Sequence, residues 1–407
     1  MHLKEYPVII IGASITAISF IRTMREQKDE RRILLIHGED RLPYKRTKIN
    51  KHMVRGFDKE EFRITDDKWY VNNNVDLLLD RVVDVAGDKK QVCTKKGLVF
   101  CYNKLLIATG AVALVPNISG VDKDELHKVQ NVEDVDRLLE TCKAKERFLI
   151  IGGGVEGVET ADQLIRKGKQ VTMANRMRHP LLKLFPVKLL HHLEREMEKK
   201  GLKVYGGVSV SSIKKQDDGS YEINILGQKH IFDVIVACTG AVPNIELGIK
   251  AGVNVERGIV VDEFMQTSNA SILAAGDVAQ HTKGEVTGLW HAAEHQGRLA
   301  AFNVLGERQA HALPPFRLKT EVFGLYMFSA AYEKVLHWQD EAVEEHEGEV
   351  HRIMYYTNNK LKAVVFVGDG GRAKMYQKAL IEGWSKDKVI AELPLLAGPT
   401  FLFTPSV

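Results

Sequence analysis

At 407 residues, 44% of them apolar types, the chain can bury large cores and hold roughly two or three domains. Lys and Arg number 57 against 53 Asp and Glu, a net charge of +4 with no basic stripe, which suits an acidic protein partner and argues against nucleic acid. No apolar run nears the ~18 residues that span a bilayer, the charged N-terminus does not read as a signal peptide, and four cysteines without paired spacing suit a reducing cytoplasm.

Val8 to Ile11 is an apolar run that ends at Gly12-Ala-Ser14-Ile-Thr-Ala17 and continues as a helix through Met24. The pattern predicts a strand, a tight turn and a helix whose free N–H groups face an anion. In G-x-G-x-x-G/A the first glycine makes the turn and the second admits a pyrophosphate. Here Ser14 stands second, with a hydroxyl able to bond a phosphate oxygen, and Ala17 stands third. Arg32 to Ile36 follows as a strand, and Glu39 and Asp40 lie where a ribose hydroxyl pair is held. Residues 41–51 read as a basic loop leading towards a helix, and residues 75–103 as an antiparallel meander. Leu105 to Gly110 is a strand ending in a small-residue turn.

Phe148 to Ile151 opens a second unit, with Gly152, Gly154 and Gly157 completing a full G-x-G-x-x-G and a strand at Val171 to Ala174 closing a βαβ unit. Two such units imply two dinucleotides, and a chain that holds two usually passes a hydride between them. A helix over 181–200 and strands near 203–212, 221–226 and 231–238 follow. Strands at Ile259 to Asp262 and Ile272 to Asp277 precede a helix from Trp290 to about Leu305. Beyond Pro315 the pattern turns α+β, with strands around 317–323, 350–356 and 361–367 and a helix near 371–383. His337, His346 and His351 lie in an acidic stretch without ligand spacing and read as solvated. The apolar end, Leu395 to Val407, reads as a tail packed on the domain or on a second subunit.

Gly12, Leu42-Pro-Tyr-x-Arg46, Lys51, Ala108-Thr109-Gly110, Gly152 to Glu159, Thr239-Gly240-x-x-Pro-Asn244 and Ala275-Gly276-Asp277 occur in that order. With this set the chain resembles the FAD-dependent pyridine nucleotide-disulfide oxidoreductase superfamily, and within it the rubredoxin reductase and ferredoxin reductase branch. The resemblance covers about residues 6–308 well and the remainder loosely. It implies an α/β fold of two Rossmann-like dinucleotide-binding domains, glutathione-reductase-like, plus a small α+β C-terminal domain. Their expected bounds are 1–115 with 239–308 for FAD, 116–238 for the nicotinamide nucleotide, and 309–407. It places Gly12, Ser14, Ala17, Glu39, Arg46, Lys51, Ala108, Thr109, Gly110, Gly276 and Asp277 around FAD, with Trp290 near the isoalloxazine. Gly152, Gly154, Gly157, Asn175, Arg176 and Gly240 fall to nucleotide binding. Lys51 and Glu159 correspond to the lysine–glutamate pair beside flavin N5, the catalytic pair implied here. The function implied is electron transfer from NAD(P)H through FAD to a small acidic carrier of the rubredoxin or ferredoxin type, by a monomer or homodimer.

Two departures from the family pattern matter. The disulfide branch carries redox cysteines where this chain reads Arg46-Thr-Lys-Ile-Asn-Lys51, so reduced flavin must serve an external acceptor directly. Where NADH-selective members carry an acid, this chain has Asn175, then Arg176 and Arg178, which favours NADPH because a guanidinium pairs with a 2′-phosphate. Glu156 adds an unexplained negative charge to the glycine turn. The alternatives within the fold are an NAD(P)H oxidase or quinone reductase using flavin alone, and a low-turnover flavin sensor. His291-Ala-Ala-Glu294-His295 matches H-x-x-E-H, yet no partner acid is apparent and no metal site is expected.

Overall fold

The computed structural model describes residues 4–54, 56–57, 60–281, 284–310, 315–332 and 341–394. His337 and the tail from Leu395 to Val407 lie outside the described residues. The chain divides into two compact units, Met1–Ala113 with Ala241–Leu313, and Leu114–Gly240 with Pro314–Val407.

In the first unit a seven-stranded sheet is built on Lys4–Ile11, Ile33–His37, Val75–Leu79 and Val99–Ile107, all parallel, with Ile272–Ala274 beyond. Val8, Ile9 and Ile10 are fully buried, which is why this strand reads as an unbroken apolar run. The expected meander over 75–103 is only partly present. Val75–Leu79 pairs parallel with Ile33–His37, and only Val82–Ala86, Gln91–Thr94 and the start of Val99–Ile107 are antiparallel. Val75 is buried in the core of the large sheet, and that burial outweighs the short sequence distance to Val82. Helix Ile15–Glu26 packs on helix Trp290–Leu305 so closely that a Cβ on Gly297 would lie 2.3 Å from Thr16 O. Ser19 Oγ donates to Glu294 O across the same seam, at 2.7 Å.

In the second unit four parallel strands stand in the order Lys203–Gly206, Gln170–Asn175, Arg147–Ile151 and Val234–Ala237. The strand expected over 231–238 is two strands: Gln228–Phe232 turns back on Tyr221–Ile225, and Val234–Ala237 enters the parallel sheet. Asp233 between them accepts three hydrogen bonds from Arg147, two of them from its guanidinium, which hold its carboxyl down at about 2 against a burial cost. The C-terminal part is a five-stranded antiparallel sheet, Phe316–Val322, Leu325–Ala331, Lys360–Val367, Val350–Thr357 and Glu341–Glu347 in spatial order. Helices Ala373–Glu382 and Lys386–Glu392 complete it. Helix Val155–Arg166 meets this sheet where Thr320 Oγ1 donates to Glu159 Oε1 (2.7 Å) and Phe323 N–H donates to Asp162 Oδ1 (3.1 Å). No helix among the described residues is long and apolar enough to cross a membrane.

Candidate active site

The first cradle lies at the C-terminal ends of the parallel strands in the first unit. Gly12 has φ +100, and its N–H donates to Ile36 O at 2.9 Å. A Cβ there would stand 2.3 Å from Ala108 O, so only glycine fits. Ser14 caps helix Ile15–Glu26 in an extended conformation without turning its side chain back on the helix N–H groups, which leaves them for an anion. Ala17 is fully buried against the sheet, filling the place where a larger side chain would force the helix outward.

Glu39 accepts from Tyr44 OH at 2.5 Å and from the Arg46 guanidinium, and Arg46 stacks 5.0 Å from the Tyr44 ring. The Arg46 charge also reaches Asp277 and opposes the burial that lifts the Asp277 carboxyl above its ordinary range. Glu39, Arg46 and Asp277, far apart in sequence, therefore share one electrostatic neighbourhood. Asp277 Oδ1 is buried and has no hydrogen-bond partner among the described residues. An orphaned carboxylate oxygen costs roughly 1–3 kcal/mol, and a ribityl or ribose hydroxyl is the kind of donor that would satisfy it. Gly276, just before it, has φ +82 and donates its N–H to Gln296 Oε1 at 2.7 Å. Gln296 is fully buried and anchors this turn from the helix that Trp290 begins; Trp290 itself is partly exposed. The motifs at 108–110 and 239–244 meet, with Thr109 Oγ1 donating to Asn244 O (3.0 Å) and Asn244 N–H to Gly110 O (2.9 Å). Lys51 sits partly buried on the short helix Ile49–His52. These residues fit a flavin dinucleotide: an open helix N-terminus, a held acid for a ribose, and a buried acceptor awaiting a hydroxyl.

The second cradle repeats the plan in the other unit. Gly152 has φ +114, and a Cβ would stand 2.1 Å from Cys238 O. A Cβ on Gly157 would be 2.1 Å from Gly152 O, so helix Val155–Arg166 can seat only on glycine there. Gly154, the helix cap, has nothing within 4 Å of its Cβ position, which leaves room for a phosphate. Asn175 is buried and its amide is committed to the protein. Its Oδ1 accepts from Gly153 N–H (3.1 Å), and its Nδ2 donates to Met177 O (2.9 Å) and His179 O (3.1 Å). It thus ties the glycine turn to the loop bearing Arg176 and Arg178, both exposed. Gly240 has φ +106, at the boundary between the units.

Glu156 lies in the first turn of helix Val155–Arg166. Burial pushes its carboxyl up to about 7, and the charges of Glu159 and Asp134 add to that, while a hydrogen bond with Cys238 opposes it. The acid is therefore about half protonated at neutral pH, which removes part of the charge that stands out of place beside a pyrophosphate. Cys238 is itself pushed well up by burial and by Glu156, and is an inert thiol. All four cysteines are free, and none lies in the 46–51 segment. Among the described residues, His291, Glu294 and His295 do not belong to a cluster of three or more potential metal ligands. Gln296 fits the family pattern in sequence, but its hold on Gly276 and that of Thr320 on Glu159 are reached only through the fold. Tyr44 lay within a quoted motif, but its grip on Glu39 depends on the loop's path.

Residues 6–297 match the family model described as pyridine nucleotide-disulphide oxidoreductase. Among curated relatives, the assimilatory nitrate reductase electron transfer subunit of Bacillus subtilis is 26% identical over 99% of this chain and 53% of its own. The NADH-rubredoxin oxidoreductase of Clostridium acetobutylicum is 24% identical, covering 95% of this chain and 97% of its own. The chain spans about half the length of the first curated relatives it matches. A ferredoxin reductase structure from Rhodopseudomonas palustris superposes with a TM-score of 0.85 at 20% identity, over 93% of this chain and 95% of that one, a likeness of fold.

Proposed function

The chain belongs to the pyridine nucleotide-disulphide oxidoreductase family, and on that premise we propose that it is an FAD-dependent NAD(P)H reductase delivering electrons to a small iron-containing carrier of the rubredoxin or ferredoxin type. The observation that carries this reading is the pair of glycine cradles, one with the unpaired Asp277 oxygen, in a chain without cysteines at 46–51. The relatives named as a rubredoxin oxidoreductase and as a nitrate reductase electron transfer subunit support a protein acceptor. The excess of 57 cationic over 53 acidic residues suits an acidic carrier through electrostatic steering.

FAD, when bound, accepts a hydride from the nicotinamide and releases electrons singly. The residues of this chain hold and bias it. Ser14 and the helix N-terminus behind it take the pyrophosphate, Glu39 and Asp277 take sugar hydroxyls, and Arg46 balances the two acids. Lys51 supplies a positive charge for the reduced flavin. Anaerobic stopped-flow mixing with NADPH or NADH tests the reading. The flavin colour should bleach rapidly, and re-oxidation by a rubredoxin or ferredoxin should outpace re-oxidation by air. Lys51→Met should slow bleaching by about 100-fold with FAD still bound. Sluggish bleaching of the unaltered protein would favour a sensor, and air outpacing every carrier would favour an oxidase.

For the nicotinamide nucleotide, exposed Arg176 and Arg178 suit a 2′-phosphate, whereas the Clostridium relative is named for NADH. Arg176→Ala should raise the KM for NADPH about tenfold or more and leave that for NADH nearly unchanged. Equal effects on the two nucleotides would remove Arg176 from phosphate binding.

A further inference from the structure

We propose that His192, His346 and His351 form a binding site for one divalent transition-metal ion of the zinc class. One ring nitrogen of each lies within 4.8 Å of the others, although 159 residues separate His192 from His351. In sequence His346 and His351 read as solvated. The structure instead buries His351, leaves His346 exposed and half-buries His192. His346 and His351 are direct cross-strand partners on Glu341–Glu347 and Val350–Thr357, so their rings leave the same face of the sheet. Helix Val187–Lys199 supplies His192 opposite them, and His192 Nε2 stands 3.1 Å from His351 Nδ1.

Each strand histidine already has its second nitrogen committed. His351 Nε2 donates to Glu344 Oε1 at 2.9 Å, and His346 Nε2 donates to Gly348 O at 3.1 Å. Both therefore present Nδ1 as the lone-pair nitrogen. A carboxylate or carbonyl behind the ligating imidazole is the usual outer partner of a metal histidine. Bonds of about 2.0–2.1 Å to a tetrahedral zinc put ligand nitrogens roughly 3.3 Å apart, near the separation of His192 and His351. His346, exposed on an edge strand, has room to swing inward. The strand also carries Glu341, Glu344, Glu345 and Glu347, which draw a cation to this edge. Lys188 Nζ donates to Glu344 Oε2 at 2.5 Å and keeps that carboxylate off the ion, so the fourth position is open to water.

Without an ion, the 3.1 Å contact is a hydrogen bond from His192 Nε2 to His351 Nδ1. On binding, His192 carries its proton on Nδ1 instead and turns the Nε2 lone pair to the metal. The ion would add a cross-link between the acidic edge strand and the helix to the one that Lys188 and Glu344 already make.

The test uses the full chain without an affinity tag, stripped with chelator and equilibrated with Zn2+ in dialysis. About one equivalent should bind per chain, and its melting temperature should rise with Zn2+. Glu344→Gln should weaken binding by about 10–100-fold, and His346→Asn should abolish both the uptake and the melting shift. His346 is exposed, so that variant keeps the fold, and an unchanged melting temperature in chelator checks this. Should His346→Asn disturb the fold, His192→Gln gives the same comparison from the helix side. Zinc uptake equal in the unaltered protein and the folded variants, or no uptake at all, would overturn the site.

Discussion

Gly12→Ala yields a protein largely stripped of flavin and markedly less stable. The added methyl would stand 2.3 Å from Ala108 O in a backbone at φ +100, where an L side chain is strained even in open space. Neither wall can retreat. Ala108 N–H bonds to Ile11 O at 2.8 Å, Gly12 N–H bonds to Ile36 O at 2.9 Å, and strand Val99–Ile107 is paired on both sides. Backbone strain and overpacking each cost about 1–3 kcal/mol, so their sum takes a large share of a typical stability of about 5–15 kcal/mol. Flavin absorbance per chain and a melting curve measure the two effects. Gly154→Ala is the contrast, since nothing lies within 4 Å of its methyl. It should melt like the unaltered protein and keep its flavin, yet bind NAD(P)H more weakly because the methyl enters the phosphate's space. Full flavin in Gly12→Ala, or normal nucleotide affinity in Gly154→Ala, would remove the corresponding cradle.

Glu156→Gln alters the pH profile of stability and of nucleotide affinity. A carboxylate in the first turn of a helix gains about 0.3–1 kcal/mol from the helix dipole, less than one pKa unit. The Glu156 carboxyl nevertheless rises from 4.5 to about 7, so burial and the neighbouring acids win. The folded protein therefore holds this proton more tightly than the unfolded chain. The stability it contributes is full below about 4.5 and is lost as pH rises through about 7. Between pH 5 and pH 8 that loss is of order 2 kcal/mol, and Glu156→Gln should abolish it. A nearby pyrophosphate disfavours the ionised acid further, so the KM for NAD(P)H should climb above pH 7 in the unaltered protein and stay flat in the variant. Parallel profiles for the two proteins would disprove the assignment.

The cradles were legible because their demands are local. A strand that ends in a left-handed turn and feeds a helix needs glycine at Gly12 and Gly152 whatever lies elsewhere, and the structure shows a carbonyl against each missing Cβ. The commitment of Asn175 was hidden, since its amide looked free for a nucleotide until the 176–179 loop folded over it. Strands Leu325–Ala331 and Glu341–Glu347 escaped the reading for opposite reasons. The first is a central strand of small and apolar residues without alternation, and the second is so acidic that it resembles a solvated loop. Closeness in sequence points to a meander over 75–103, whereas burial of Val75 draws its strand into the parallel sheet.

By itself the chain determined two strand–glycine–helix turns, the acids that follow them and the lack of a thiol pair, because each is written in neighbouring residues. Only the tertiary structure decided which distant groups meet: Arg46 with Asp277, Thr320 with Glu159, Glu156 with Cys238, and three histidines at one sheet edge. The physical reason is range. Backbone geometry is set by a few adjacent residues, whereas the charge and burial a side chain feels come from every element packed around it.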